Sequence, residues 1–79
     1  MRMLDIGYAN TVNAQRIVAV VSADSAPARR MISAAKEKNL SVDASCGKKT
    51  QSVIIMDSGH VISSSKSVES LNEKLSEVK

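Results

Sequence analysis

The sequence predicts an α+β fold, in which a small, mostly antiparallel sheet of four to five strands packs with two helices. Three observations predict it: runs rich in Val and Ile, a two-residue hairpin signal between two such runs, and two amphipathic segments that begin with capping residues. With 79 residues, the chain is expected to form one domain over residues 1–79.

The first third of the chain predicts two strands and a turn. Residues 3–8 have the pattern of a short strand, and the asparagines of residues 10–13 favour a turn after it. Residues 15–22 contain five consecutive apolar residues. Such a run is typical of a strand that is covered on both faces.

A helix is predicted next. Asp24 or Ser25 can cap its start, and Pro27 is tolerated in a first helical turn. Asn39 suits a left-handed C-terminal cap. Between them, apolar residues recur at three- and four-residue spacing and form one stripe, made of Ala28, Met31, Ile32 and Ala35.

The second half predicts an edge strand, a hairpin and a closing helix. Residues 40–45 alternate in polarity, as an edge strand does, and residues 47–50 form the loop after it. Ser58 and Gly59 form a two-residue hairpin signal between apolar residues 52–57 and 60–63. Ser67 can cap a helix whose apolar stripe is Val68, Leu71, Leu75 and Val78.

The composition predicts a homo-oligomer. The chain has no Phe or Trp and one Tyr, so its core must be small and aliphatic. Small chains of this kind usually need further stabilisation by disulfides, a metal or other subunits. A single cysteine and a single histidine provide neither a disulfide nor a metal site. Two helices are not expected to cover both faces of the apolar strands, so a neighbouring subunit should cover the rest. Alternatively, the apolar runs fill one face and leave a few valines exposed.

Positive charge is concentrated in the first two-thirds of the chain. Residues 1–50 carry eight Lys and Arg against four acids, whereas residues 51–79 carry three Lys against four acids. A basic bias suits a polyanionic partner, although it can also serve solubility alone. Neither a signal peptide nor an 18-residue apolar run is apparent, so we expect a cytoplasmic protein without a membrane span.

The residues that could support catalysis are sparse, and we expect no enzyme. His60 lies in a predicted turn, where a surface role is more common, and Asp43 and Asp57 border predicted turns, where Asp serves the backbone. Cys46 precedes two lysines but has no base beside it. The three glycines have neither Walker nor dinucleotide spacing. No cofactor, metal or small-molecule substrate is therefore predicted.

Basic residues are the stronger candidates for a site. Arg29 and Arg30 should lie in the first turn of a helix, where they resemble a phosphate clamp, or they lie on a solvated face. Lys48 and Lys49, followed by a threonine, offer donors to phosphate oxygens, although this is also the composition of an ordinary turn. Arg16 is a strand-end charge or a second cation near the same groove. Because Tyr8 alone cannot provide a platform for base stacking, the backbone of duplex DNA is a better candidate ligand than single-stranded DNA or RNA.

Several segments resemble the RemA family of extracellular matrix regulators in order and spacing. The matching segments are residues 6–10, Arg16, Ser22, residues 25–27, Arg30, residues 47–50, residues 53–58 and residues 60–62. Together they cover almost the whole chain, apart from the last dozen residues. The Ser-Ala-Pro segment and the Val-Ile-Ile-Met-Asp-Ser hairpin are the most specific of them.

The resemblance implies a small bacterial DNA-binding regulator of matrix or biofilm genes. It implies a closed homo-oligomeric ring with duplex DNA along the rim, and it places DNA contacts on Arg16, Lys48 and Lys49. The chain departs from the family in two places. Lys48, Lys49 and Gln51 stand where the family usually has arginines, and Tyr8-Ala9 replaces an aromatic followed by glycine. Lysine neutralises the charge of a phosphate but cannot form the bidentate hydrogen bonds that arginine forms.

Two function classes remain for the chain. The first is a ring-forming, DNA-binding transcriptional regulator. The alternative is an oligomeric structural or interaction module that binds a protein partner or RNA, with a basic patch that serves solubility alone.

Overall fold

Six strands and two helices make up the computed structural model, which describes residues 2–78. In chain order the elements are β1 (Met3–Gly7), β2 (Asn10–Asn13), a short 3-10 turn (Ala14–Arg16), β3 (Ile17–Ser22), α1 (Ala26–Glu37), β4 (Ser41–Asp43), β5 (Ser52–Met56), β6 (Val61–Ser64) and α2 (Val68–Val78). The predicted α+β class is confirmed.

The strands form two sheets rather than the single predicted sheet. β1 and β2 form an antiparallel hairpin, and the other four strands pair in the order β3-β5-β6-β4. β5 is antiparallel to both of its neighbours, whereas β4 runs parallel to β6. β3 and β4, which α1 connects, therefore lie at opposite edges of the four-stranded sheet and run in the same direction.

The prediction of a turn at residues 10–13 was wrong, because these residues form β2. The turn lies at Tyr8 and Ala9, which have positive φ angles of 53° and 63°. Val12 pairs with Leu4 across the hairpin, and both side chains are buried. Burial of one valine thus outweighs the weak strand propensity of the asparagines around it.

Both faces of the four-stranded sheet are covered within one chain. α1 packs over β4 and β6 on one face, and α2 lies over β1 and β3 on the other. The second face has the larger core, in which Leu4, Ile6, Ile54 and Leu71 are at most 1% exposed. The expectation that two helices would not cover both faces is corrected in part, because each helix packs on a different face and the β1–β2 hairpin, which was not foreseen as a covering layer, adds to the second face. That a neighbouring subunit covers the rest stays a prediction. A ring is not visible in a single chain and stays a prediction.

The predicted caps of the two helices are confirmed. The Ser25 hydroxyl accepts a hydrogen bond from Ala28 N at 3.3 Å, and Pro27 lies in the first turn. Ser67 caps α2, because its hydroxyl accepts from Ser70 N at 3.1 Å. Asn39 has the expected left-handed conformation, with φ of 60°.

The helix stripes differ from the prediction in part. Ala28 and Ala35 are buried, but Met31 is 42% exposed. In α2, Leu71 is fully buried, and the Val78 side chain lies outside the described residues.

The β5–β6 hairpin is confirmed, but its loop is longer than two residues. Met56 N donates to His60 O at 3.0 Å, so residues 57–60 connect the strands. Within residues 2–78, no helix has the length and apolar character needed to cross a membrane.

Candidate nucleic-acid interface

The four-stranded sheet has two ends, and they carry different charged groups. At the first, β3 ends at Ser22 and β5 begins at Ser52, with Lys48 and Lys49 just before it; we name this the lysine end. At the opposite end, β3 begins after Arg16 and β5 ends before Asp57; we name this the arginine end. The five steps from Ile17 to Ser22 separate the two ends by about 17 Å.

A tight turn holds the two lysines in place. Lys48 N donates to Ser45 O at 3.0 Å, and the central residues Cys46 and Gly47 have φ angles of 56° and 78°. Two positive φ angles are typical of a type I′ turn. On the far side, Gln51 N donates to Ser64 O at 2.9 Å. The lysines therefore extend from a loop whose backbone is fixed before and after them.

Asp43 anchors the start of this loop. Its carboxylate accepts from the Ser45 hydroxyl at 2.6 Å and from Ser45 N at 2.9 Å. These two hydrogen bonds, the hydroxyl first, hold the pKa of Asp43 below its ordinary value of 3.8. At neutral pH the carboxylate is thus ionised, and among residues 2–78 it forms no ion pair with Lys48 or Lys49.

Lys48 and Lys49 are available to an external anion. Both are exposed, and within residues 2–78 neither forms an ion pair with an acid. Flexible exposed lysines that lack an acidic partner keep their charge for a ligand. Two lysines in sequence on a turn can contact adjacent phosphates of a backbone.

The helices add positive potential to the lysine end. α1 begins four residues after Ser22, and α2 follows Ser64, so both N-termini lie at this end. Unsatisfied amide groups there carry partial positive charge. Arg29 and Arg30 are exposed on α1 as its fourth and fifth residues, where the first turn passes into the second.

A cleft of about 410 Å³ opens between the starts of the two helices. Lys49, Thr50 and Ser67 line it together with Asp24 and Glu69. The carboxylates of these two acids would repel a phosphate inside the cleft. An anion at the lysine end is therefore better placed on the outer side, at Lys48 and the turn that precedes it.

Arg16 does not join the lysines within one chain. It lies at the arginine end, where its guanidinium contacts the Asp57 carboxylate at 3.1 Å. The Arg16 side chain is nevertheless 66% exposed. Of the two alternatives for Arg16, its position agrees with a strand-end charge, because the length of β3 separates it from Lys48 and Lys49 within one chain.

Sequence reasoning missed one contact that shapes these ends. The pairing of Asp57 with Arg16 joins residues that are 41 positions apart, and no local pattern reveals such a contact. Asp43 was expected to border a turn and serve the backbone, and its carboxylate does accept from Ser45 N.

The other chemically reactive side chains do not assemble into a site. His60 Nδ1 lies 2.6 Å from the Ser58 hydroxyl, in an exposed turn. Cys46 is a free, exposed thiol. Over the described chain, no group of three or more His, Cys, Asp or Glu residues is placed to hold a metal ion.

Comparison with known proteins identifies the family. The sequence model of the RemA-like family, which is described as extracellular matrix regulatory protein A-like, matches residues 3–75 of this chain. The chain belongs to the RemA-like family. It is 48% identical over 75 residues to proteins from Bacillus cytotoxicus, Bacillus mycoides and Bacillus cereus, a match that spans 95% of this chain and 86% of each relative. Each relative carries the name "Putative regulatory protein". These matches support a regulatory role for this RemA-like protein.

Proposed function

We propose that this RemA-like protein is a cytoplasmic, homo-oligomeric regulator that binds the backbone of duplex DNA through Lys48 and Lys49. It regulates transcription, and the family resemblance implies that its targets are matrix or biofilm genes. It catalyses no reaction. The observation that supports the proposal most strongly is the pair of exposed lysines, which extend from an anchored turn and have no acidic partner among residues 2–78.

Repetition of the loop around an oligomer would strengthen a weak contact. One loop offers two lysine charges, whereas several loops on a rim would meet successive phosphates of one duplex. Because lysine is a point charge, binding should depend on the backbone rather than on base edges. Arg29 and Arg30, at the same end of the sheet, would add long-range attraction, and Arg16 would contribute from the opposite end.

The test compares two double variants in a duplex-DNA gel shift with an anionic polymer as competitor. Lys48→Ala/Lys49→Ala should weaken binding by at least about tenfold, because hydrogen bonds to charged groups are worth about 1.5 kcal/mol or more. The matched control is Lys36→Ala/Lys38→Ala, which removes the same charge from the exposed last turn and cap of α1. The control should keep nearly wild-type affinity.

Salt dependence gives a second measurement on the same variants. The slope of log affinity against log salt should flatten by about 0.9 for each phosphate that the protein no longer neutralises, summed over the subunits that touch the duplex. Melting temperature and oligomer mass should stay close to wild type, because exposed loop charges contribute little to folding. Unchanged affinity and slope in the Lys48→Ala/Lys49→Ala variant would overturn the proposal and leave an interaction module in its place.

A further inference from the structure

The tip of the β1–β2 hairpin carries the one tyrosine of a chain that has no Phe or Trp. Tyr8 and Ala9 form the two-residue turn between the strands. Tyr8 is 51% exposed, and its hydroxyl makes no hydrogen bond within residues 2–78. A tyrosine hydroxyl in this state is available as a donor, and DNA-binding proteins use such donors on phosphate oxygens.

The backbone of this turn is strained at both residues. Tyr8 and Ala9 have φ angles of 53° and 63°, in the left-handed region that side chains other than Asn and Asp rarely adopt. Two-residue turns of this kind favour Asn followed by Gly. The chain therefore keeps a bulky side chain at a position where a smaller one would be more stable, and strain of this kind is concentrated at functional sites.

Hydrogen bonds fasten the hairpin to the lysine end of the sheet. Ser52 and Ser64, which pair across β5 and β6, are both fully buried. The Ser64 hydroxyl donates to Ile6 O at 2.8 Å, just before the turn. Ser64 Oγ also accepts from Lys66 N at 3.1 Å, and the Ser52 hydroxyl donates to Lys66 O at 2.7 Å. Two buried hydroxyls thus fix the backbone of Lys66 beside the hairpin.

The Lys66 side chain lies against the tip of the hairpin. A Cβ at Gly7 would lie 3.4 Å from Lys66 Cε and 3.6 Å from Lys66 Cγ, so the absence of a side chain at Gly7 lets the lysine approach closely. The nearby carboxylate of Asp5 is paired with Lys74, at 3.7 Å. Within residues 2–78, Lys66 itself forms no ion pair. Its charge is therefore available to an anion beside Tyr8.

We propose that Tyr8 and Lys66 form a second phosphate-binding site at the lysine end, which contacts the backbone of the duplex that the two loop lysines bind. The Tyr8 hydroxyl donates to a phosphate oxygen, and the Lys66 ammonium offsets the phosphate charge. The Tyr8 ring does not stack on bases, because the bases of a duplex are already stacked on one another. The site rests on the proposed function, since it adds contacts to the same DNA.

One duplex can reach both groups of contacts. Lys49 lies three residues before Ser52, whose hydroxyl is bonded to Lys66. Three residues of extended chain span at most about 11 Å, so the backbones of the two lysines lie within about 18 Å of each other. About 18 Å of duplex axis carries roughly ten phosphate charges. Both groups of contacts therefore lie within reach of neighbouring phosphates on one duplex.

The test measures binding of the full chain to a labelled duplex by fluorescence anisotropy over a series of salt concentrations. Tyr8→Phe should weaken binding by about three- to tenfold with an unchanged salt slope, because a neutral donor releases no counterion. Lys66→Met keeps an apolar stem beside Gly7 and should weaken binding by about tenfold, with a slope flatter by about 0.9 for each subunit that touches the duplex. Lys38→Met, which removes the same charge from the exposed C-terminal cap of α1, should keep nearly wild-type affinity.

A comparison of stability with affinity separates a binding role from a structural one. Tyr8→Asn introduces a residue that tolerates the left-handed region, so the melting temperature should stay or rise while affinity falls at least as far as in Tyr8→Phe. Ala9→Gly relieves the same strain one residue later and should raise the melting temperature with unchanged affinity. A lower melting temperature with unchanged affinity in Tyr8→Asn would show that the tyrosine serves the fold alone, and would overturn the proposal.

The outcomes also distinguish this site from the proposed function. Suppose that wild type binds DNA and that alanine at both loop lysines weakens binding. Wild-type affinity in either Tyr8→Phe or Lys66→Met would then overturn the second site and leave the loop contacts standing. A wild-type protein that does not bind DNA under the same conditions would overturn the DNA-binding function and the second site with it. Loss of affinity in both variants, with a flatter slope in Lys66→Met alone, supports the site.

Discussion

The two ends of the four-stranded sheet differ in how their cations are balanced. At the arginine end, Arg16 has a carboxylate partner, Asp57, at 3.1 Å. At the lysine end, Lys48 and Lys49 have none within the described chain, and the Asp43 carboxylate accepts hydrogen bonds from Ser45 instead. A positive residue in the sequence therefore does not by itself reveal its role. The structure separates a cation whose charge an acid already offsets from one whose charge is available to a ligand.

Charge reversal should produce the largest difference between the two ends. Lys48→Glu/Lys49→Glu should weaken duplex binding by about 100-fold, because each hydrogen bond to a charged phosphate is worth about 1.5 kcal/mol and repulsion adds to its removal. Arg16→Glu should cost less than about tenfold, since Asp57 already offsets its charge. Equilibrium binding by fluorescence anisotropy measures both. If Arg16→Glu costs as much as the lysine pair, the two ends contribute equally and the comparison fails.

Arginine at the lysine end should strengthen binding. Lys48→Arg/Lys49→Arg keeps the charge and adds two-pronged donors for phosphate, for which we expect a gain of about tenfold or less. The gain should be similar on promoter DNA and on unrelated duplexes, because backbone contacts carry no sequence information. A gain restricted to one sequence would instead indicate base contacts from this loop.

Removal of the acid at the arginine end should have a smaller effect. Asp57→Asn releases Arg16 from its ion pair and should strengthen DNA binding by about two- to threefold, the scale of one exposed ion pair. Asp43→Asn at the lysine end serves as the contrast, because Asp43 pairs with no cation that binds DNA. Equal gains from both variants would show a general effect of net charge rather than release of Arg16.

The smallest expected effect concerns the Asp43 anchor. Because hydrogen bonds from Ser45 lower the pKa of Asp43, the anchor is fully formed above the ordinary value of 3.8 and is lost as pH falls through the lowered pKa. Ser45→Ala should raise that pKa toward 3.8. Carboxyl NMR titration measures the change, with Asp5 as an internal control, since the pKa of Asp5 is lowered chiefly by the Gly7 backbone N–H. A shift of both aspartates would point to a global change instead.

Local patterns predicted the elements whose signals lie close together in sequence. Ser25 and Ser67 cap helices as expected, because a cap depends on the first few residues alone. The β5–β6 hairpin was also predicted, because its strands adjoin in sequence. The parallel direction of β4 was not, since it depends on a pairing with a strand that lies about 20 residues further on.

The candidate site was predicted in its residues but not in its arrangement. Lys48 and Lys49 could be selected because they lie together in a loop. The separation of Arg16 from them depends on the β3–β5 register, which brings Ile17 beside Met56 and Ser22 beside Ser52. Register is a tertiary property, and a sequence pattern with apolar residues on both faces leaves it open.

The strand order also determines which strands should unfold last when the sheet opens locally. β5 and β6 have hydrogen-bonded neighbours on both sides, whereas β3 and β4 have one neighbour each. Amide hydrogens in the β5–β6 hairpin should therefore exchange with solvent at the slowest rates, and those of the edge strands should exchange through local opening of lower free energy.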